Sequence, residues 1–327
     1  MLIILYNQKK YQIFFILIIL LTCFSNKSLT QNSTHSQCSQ NSEISCNSSL
    51  YQKLQSISDA QIKPIEPDSL FKGAYEISLT QPLDHQNPSG KKFVQRIILS
   101  HIDESRPIVL ITEGYSLRHN YVRELSEILN ANEIRVEHRY FGDSKPDSMD
   151  WQFLNIKQAA ADHHRIVKLF KEIYAGKWIS TGWSKGGQTA LIHRHLYPDD
   201  VDVTVAYDAP LNFALEDPRI DQFFDKVGSE FCRQRLINCQ RLILKNRVAM
   251  LPLFKWYSKG KDYEFSIGLE KAFEYIVLEY PFSFWQYHKL DCNEIPDEAA
   301  SADEMLEHLR TVVSFSSYSD YALNSAS

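Results

Sequence analysis

Apolar and polar positions in this chain follow two periods in turn. Ala74-Tyr75-Glu76-Ile77-Ser78-Leu79 and Phe93-Val94-Gln95-Arg96-Ile97-Ile98-Leu99 alternate with the period of two that marks half-buried strands. Pro82 to Gly90 between them reads as a loop, and so short a connection predicts an antiparallel pair. Ile108-Val109-Leu110-Ile111 is apolar throughout, as a strand covered on both faces requires. Tyr121, Leu125, Ile128 and Leu129 then recur at helical spacing, and Ile134-Arg135-Val136 predicts the next strand. Ile156 to Tyr174 predicts an amphipathic helix with Ile156, Ala159, Ala160, Ile166, Val167, Phe170 and Ile173 on its inner side. The strand Trp178-Ile179-Ser180, a helix through Tyr197 and the strand Val201 to Tyr207 complete the alternation.

Two leading strands followed by repeated β-α units predict an α/β protein with a mostly parallel, doubly wound sheet over residues 69–210. Ligands of such a sheet gather at the carboxyl ends of its strands. Those ends are Glu113-Gly114-Tyr115, Glu137 to Gly142, Gly182 to Lys185 and Asp208-Ala209-Pro210. From Leu211 the alternation stops. Phe223 to Leu244, Leu269 to Leu278 and Ala302 to Val313 show helical spacing among many aromatics, Trp256, Phe282, Phe284, Trp285 and Tyr287 included. Residues 211–327 read as a helical lid inserted over the carboxyl edge, its aromatics forming a core. An independent helical domain is the alternative, less suited because the sheet would still lack its last strands.

The N-terminus changes the picture by adding a compartment. Lys9 and Lys10 precede an apolar run from Ile13 to Leu21, about half of the ~20 residues that cross a bilayer. Residues 1–25 therefore read as a secretory signal rather than a permanent membrane span. Leu20-Leu21-Thr22-Cys23 approximates a lipoprotein box, so a lipid anchor on Cys23 is the minor alternative to secretion. Residues 26–68, rich in Ser, Asn and Gln, read as a flexible leader with glycosylation sequons at Asn26, Asn32 and Asn47, and order is expected from near Leu70.

With Cys23 in the cleaved region, Cys38, Cys46, Cys232, Cys239 and Cys292 remain, an odd number. Seven residues of helix rise about 10.5 Å. A disulfide needs Cα atoms closer than about 7 Å. Pairing Cys232 with Cys239 therefore requires a helix break, and Cys292 is the other partner open to either. No Cys/His spacing suits zinc, so neither a metal nor a cofactor is expected. A net charge of -5 without a basic stripe makes no case for nucleic acid. Hydrophobic content of 44% and charged content of 23% are those of an ordinary globular chain, which a 327-residue length allows to form one large domain with an insertion.

The candidate chemistry sits in Thr181-Gly182-Trp183-Ser184-Lys185-Gly186-Gly187, between an apolar strand and a helical run. Strand, glycine turn with a central serine, and helix make the context of a nucleophile elbow. The turn strains the serine backbone and leaves no room for neighbouring side chains, which explains the glycines. Ser184 is the expected nucleophile, and the helix start offers the Lys185 amide to an oxyanion. A serine also needs a base, usually a histidine oriented by a carboxylate. Of the histidines that follow, His193 and His195 lie in the elbow helix, His308 lies on a helix surface and His288 follows no strand. The chain is expected to stop before the strands that carry the acid and base.

Gln81-Pro82-Leu83-Asp84-His85, Phe93-x-Gln95-Arg96, Glu113-Gly114-Tyr115, Glu137-His138-Arg139-Tyr140-Phe141-Gly142-x-Ser144, the elbow and Tyr207-x-Ala209-Pro210 occur in this order. Over about residues 70 to 320 the set resembles the secreted prolyl tri/tetrapeptidyl aminopeptidases, serine peptidases related to the lysosomal Pro-Xaa carboxypeptidases. The resemblance implies an α/β-hydrolase core with a helical lid, a peptide substrate and release of short N-terminal peptides. It implies Ser184 as nucleophile, with oxyanion amides from Lys185 and from Gly114 or Tyr115. Glu113 is a candidate for binding the substrate amino group or for anchoring its loop; His138 and Arg139 are expected to brace the elbow, and the Lys185 side chain to point to solvent or pair with an acid. The resemblance implies that the family's catalytic Asp and His belong to a C-terminal stretch, which is expected to be missing from the sequence read here. A truncated, non-catalytic peptide-binding relative and an esterase or lipase are therefore the rival readings. The missing strands would leave an exposed sheet edge, so the chain alone is expected to be poorly soluble.

Overall fold

The two alternating stretches pair as expected. In the computed structural model, which describes residues 49–117, 122–214, 216–287 and 291–320, β2 (Gly73–Pro82) lies antiparallel to β3 (Lys92–His101), with Ile77 opposite Ile97. The fully apolar β4 (Ile108–Thr112) is buried along its whole length. It runs parallel to β5 (Asn132–Val136) on one side and to β6 (Trp178–Trp183) on the other. β7 (Val203–Tyr207) runs parallel to β6, while β3 meets β5 antiparallel.

A further strand, β1 (Ala60–Ile65), adds antiparallel to the outer side of β2, preceded by the short helix α1 (Ser49–Gln55). Both fall inside the stretch assigned above to a flexible leader, which is corrected here: order is present from Ser49, not from near Leu70. The composition concealed it because α1 contributes only Leu50 and Leu54 to the core, and β1 is an edge strand with exposed Gln61 and Lys63. Pro64 sits in this edge strand, where the ladder tolerates a missing donor.

The described sheet is ordered β1-β2-β3-β5-β4-β6-β7. β2 and β4 to β7 point the same way, so β4 to β7 all end at one edge. α2 (Glu124–Leu129) lies after β4, α3 (Ile156–Lys171) after β5 and α4 (Lys185–Leu196) after β6. One face of the sheet packs Ile77, Leu99, Leu110 and Ile134 against Leu54 of α1 and Ile166, Val167 and Phe170 of α3. The other face places Val109 and Ile111 against Leu125 of α2. This mixed, mostly parallel sheet flanked by helices is an α/β-hydrolase core. Two apolar assignments shift: Ile128 is 69% and Ile156 59% exposed, because each helix starts or turns so that these residues face outward. Tyr121 lies outside the described residues.

After β7 the chain becomes helical and builds its own core. α5 (Pro218–Phe224) comes first and buries no side chain; α6 (Glu230–Lys245), α7 (Arg247–Gly260), α8 (Leu269–Tyr287) and α9 (Ala302–Val312) bury Leu236, Phe254, Phe273, Ile276 and Leu309 among themselves. The single helix expected over Phe223 to Leu244 is two. Gly228 takes a left-handed φ of 64° between them, and Ser229 caps α6 by accepting from the Cys232 amide. α7 was not foreseen, and α8 continues nine residues past Leu278, through Pro281.

Cys232 and Cys239 share the unbroken α6, and the disulfide joins Cys232 to Cys292 with Cα atoms 5.2 Å apart. Cys239 remains a buried thiol, its pKa pushed up to about 11 by burial. The bridge spans 60 residues, so chain entropy gives it about 4 kcal/mol. Reduction is expected to lower the urea midpoint of the helical layer by that equivalent; a loss under about 1 kcal/mol would show that the layer holds without it.

The signal segment, the sequons, Cys23, Cys38, Cys46 and His288 lie outside the described residues. Among the described residues no helix is long and apolar enough to cross a membrane, and no group of three or more His, Cys, Asp or Glu side chains is placed to hold a metal ion.

Candidate active site

The turn between β6 and α4 holds Ser184 at φ 51° and ψ -123°, a conformation that side-chain-bearing residues rarely adopt. Strand and helix meet there almost in contact. A Cβ on Gly182 would stand 2.4 Å from the Gly186 carbonyl carbon, and one on Gly186 2.4 Å from the Thr112 carbonyl oxygen. Thr112 ties the approach by donating from Oγ1 to the Gly186 carbonyl at 2.8 Å. The Ser184 amide donates to the Tyr207 carbonyl at 2.9 Å, and its own carbonyl accepts from Gln188 as the helix begins. The side chain is exposed and makes no hydrogen bond to any described residue.

Trp183 is clamped beside it. Its ring stacks on Tyr207 at 4.3 Å, and the Arg123 guanidinium lies 4.8 Å from its centroid. Arg123 and Arg135 both donate to Glu113 Oε1 at 3.0 Å. Glu113 is thus an anchor of the loop after β4, its carboxylate already facing two guanidinium groups.

That loop, Gly114 to Leu117, runs past the nucleophile turn. The Tyr115 carbonyl accepts from the His138 amide at 3.1 Å, and the Leu117 amide donates to Glu137 Oε1 at 2.8 Å. Arg96 donates to the Leu117 carbonyl at 2.9 Å. The Lys185 ammonium donates to the Gly114 carbonyl. With these groups pinned, the amides of Gly114 and Tyr115 and that of Lys185 make no hydrogen bond among the described residues. Gly114 packs against Lys185 and Gly186 of the turn that carries the exposed serine, so three unused donors lie on the two segments that meet there, as an oxyanion site requires.

The sequence expectation that the Lys185 side chain points to solvent or pairs with an acid is corrected: it is half-buried and folds back onto the loop. Its amine stands 4.8 Å from the Tyr115 ring centroid and 4.5 Å from that of Phe141, and burial lowers its pKa to about 8. His138 and Arg139 are both buried, but neither is hydrogen-bonded to the elbow. His138 gives its Nδ1 to the Arg139 carbonyl at 2.9 Å, so Nδ1 carries the proton. Burial first, and the Lys185 charge second, lower its pKa to about 3, which keeps the ring neutral. Together with Lys185, Phe141 and Ile192 it lines a cavity of about 170 Å³ behind the elbow helix.

Arg139 forms a two-point ion pair with Asp162 of α3, at 2.7 and 2.8 Å, and donates to the Leu83 and Phe153 carbonyls. It braces the loops around the elbow, not the elbow itself. Glu137 closes its own loop by accepting from the Asp143 amide and the Ser144 hydroxyl; burial raises its pKa. Gly142, at φ 54°, has no room for a Cβ beside that carboxylate. Asp162 and the pinning by Glu137 were missed by sequence reasoning. A charged residue on the apolar face of α3 was the available signal for Asp162.

The histidines expected to fall short as bases are placed elsewhere. His193 is buried and bonds Asp200 at 2.8 Å, His195 is exposed on α4, and His308 bonds the Tyr280 hydroxyl at 2.7 Å in the helical layer. Of the lid aromatics, Phe284 is core, whereas Trp256 is 82% exposed, and Phe282 and Trp285 line a cavity of about 520 Å³ with Phe223 and Phe224.

Residues 49–327 match the model of a protein family described as PS-10 peptidase S37. A prolyl tri/tetrapeptidyl aminopeptidase of Streptomyces mobaraensis is 40% identical over 248 residues, which cover 74% of this chain and 52% of that protein. A lysosomal Pro-X carboxypeptidase of Bos taurus is 31% identical over 146 residues, covering 41% of this chain and 29% of that protein. The chain thus spans about half the length, or less, of these curated relatives. Among solved structures, acetyl xylan esterase 1 from Thermoanaerobacterium superposes with a TM-score of 0.37 at 13% identity, over 54% of this chain and 64% of that one.

Proposed function

This chain belongs to the PS-10 peptidase S37 family, and from that membership we propose that it acts as a serine exopeptidase on the N-terminal end of peptides, Ser184 attacking the acyl carbonyl. One observation carries the reading: an unbonded serine hydroxyl, strained into view at φ 51°, beside the unused amides of Lys185 and of Gly114 and Tyr115. Attack would put negative charge on the carbonyl oxygen, where those amides donate without reorganising. None of the described histidines is hydrogen-bonded to Ser184. The helical layer is proposed to cap the site, since the chain leaves β7 at the carboxyl edge and enters α5 at Pro218. Secretion is part of the proposal, supported by the basic and apolar N-terminal pattern and by a disulfide suited to an oxidising compartment.

The test compares a tripeptide amide bearing a free amino group with its N-acetylated counterpart. An exopeptidase is expected to cleave the free amine faster by up to about 10⁴-fold, the scale on which a site that hydrogen-bonds a polar group rejects its analogue. Equal rates, or faster turnover of acyl esters than of amides, would overturn the assignment in favour of an endopeptidase or an esterase.

A further inference from the structure

We propose that the Lys185 side chain is a positioning residue that fastens the Gly114–Leu117 loop to the nucleophile turn and so aims the Gly114 and Tyr115 amides at the oxyanion. The proposal rests on the reading of those amides as oxyanion donors. Among the described residues four pins hold the loop. Those from His138 and Glu137 tie it to the segment after β5, and that from Arg96 ties it to β3. The fourth, from Lys185 to the Gly114 carbonyl, ties it to the elbow. Contact between the two is already close, since a Cβ on Gly114 would stand 2.7 Å from Lys185 Cβ. One residue thus supplies an oxyanion amide from its main chain and, through its side chain, sets the distance to the other donors. Swinging the loop about its three remaining anchors would separate the donors, and stabilisation of this kind decays steeply with donor distance.

Nothing else in the site accounts for a lysine turned inward. Burial disfavours its ammonium and no carboxylate offsets this. The faces of Tyr115 and Phe141 do so instead, through cation–π attraction at 4.8 and 4.5 Å. The titratable groups facing it are Tyr115 on the loop and the neutral His138 after β5; the first turn of α4 carries no acid. The pin is therefore strongest while the amine is protonated. It weakens as pH rises through about 8.

The test uses the full chain and an alkyl fluorophosphonate that phosphonylates Ser184. Lys185→Met is expected to slow labelling about 100-fold, the scale of losing one oxyanion donor. Lys185→Arg, which keeps a cation over the rings, is expected to return the rate to within about tenfold of wild type. Wild-type labelling is expected to fall as pH rises through about 8, and this fall should vanish in Lys185→Arg, whose guanidinium does not titrate. Hydrogen exchange at residues 114–117, read by mass spectrometry, needs no activity: it should quicken in Lys185→Met while β4 stays protected. Wild-type labelling rates with unchanged loop exchange would overturn the proposal. Should wild type not label at all, the Ser184 reading fails and the exchange measurement alone decides whether Lys185 holds the loop. Should Lys185→Met not fold, the pH profile of Lys185→Arg decides.

Discussion

Replacing Ser184 with glycine is expected to abolish labelling by a fluorophosphonate and at the same time to raise the melting temperature. The serine is held at φ 51° and ψ -123°, where a side-chain-bearing residue is strained by about 1–3 kcal/mol. Glycine adopts this region freely but loses about 0.5–1 kcal/mol through its greater freedom in the unfolded chain. The hydroxyl makes no hydrogen bond, so removing it forfeits nothing in the folded state. A net gain of about 1 kcal/mol follows, or a few degrees in melting temperature for a chain of this size. Ser184→Ala provides the control, since it removes the nucleophile and keeps the strain: no label and no gain. Peptide mapping of the labelled wild type should place a single adduct on Ser184. A glycine variant no more stable than the alanine variant would show that the turn stores no strain. A label that survives both variants would move the nucleophile elsewhere.

Asp162→Ala is expected to cost about 3–5 kcal/mol of stability, the cost of breaking a buried ion pair by removing one partner. The Arg139 and Asp162 side chains are both fully buried and joined at 2.7 and 2.8 Å, and His85 Nε2 approaches the same carboxylate at 2.7 Å. Without Asp162 a guanidinium remains stranded among the Leu83 and Phe153 carbonyls, which cannot neutralise it. Burial pushes the Asp162 carboxyl up, but the charge and hydrogen bonds of Arg139, with His85, outweigh it and hold the pKa below its ordinary 3.8. A depressed folded pKa contributes stability above the unfolded value and loses it as pH falls through the folded one. The gap between wild type and Asp162→Ala should therefore be full at neutral pH and narrow in acid below 3.8. Urea midpoints across that range measure it. A loss below about 1 kcal/mol at neutral pH would mean that the pair behaves as an exposed one.

The nucleophile turn located α4, and hydrophobic patterning, as alternation, short apolar runs or helical spacing, located β2 to β7, α2 and α3. It missed β1 and α1, where an edge strand and a two-residue contact bury too little to leave a pattern. It also merged α5 with α6, since the left-handed Gly228 and the Ser229 cap that separate them are local features unrelated to periodicity. The elbow was legible for a steric reason. A turn in which a Cβ on Gly182 or Gly186 would stand under 3 Å from the backbone of Gly186 or Thr112 admits only glycine at fixed positions, and that demand is written into the chain.

Electrostatic partners were not legible in this way. Glu113 reads from the sequence as either a receptor for an amino group or an anchor of its loop, and the partners it takes, Arg123 and Arg135, lie ten and twenty-two residues on. Lys185 reads as a solvent-facing charge until Gly114, Tyr115 and Phe141 close around it. The chain by itself determined the α/β core, the strained serine and the three loops that meet it. Only the tertiary structure decided which charges pair and which amides stay free. Local sterics act over a few consecutive residues, whereas a charge or a hydrogen bond takes whichever partner the packing of distant strands sets within about 3 Å.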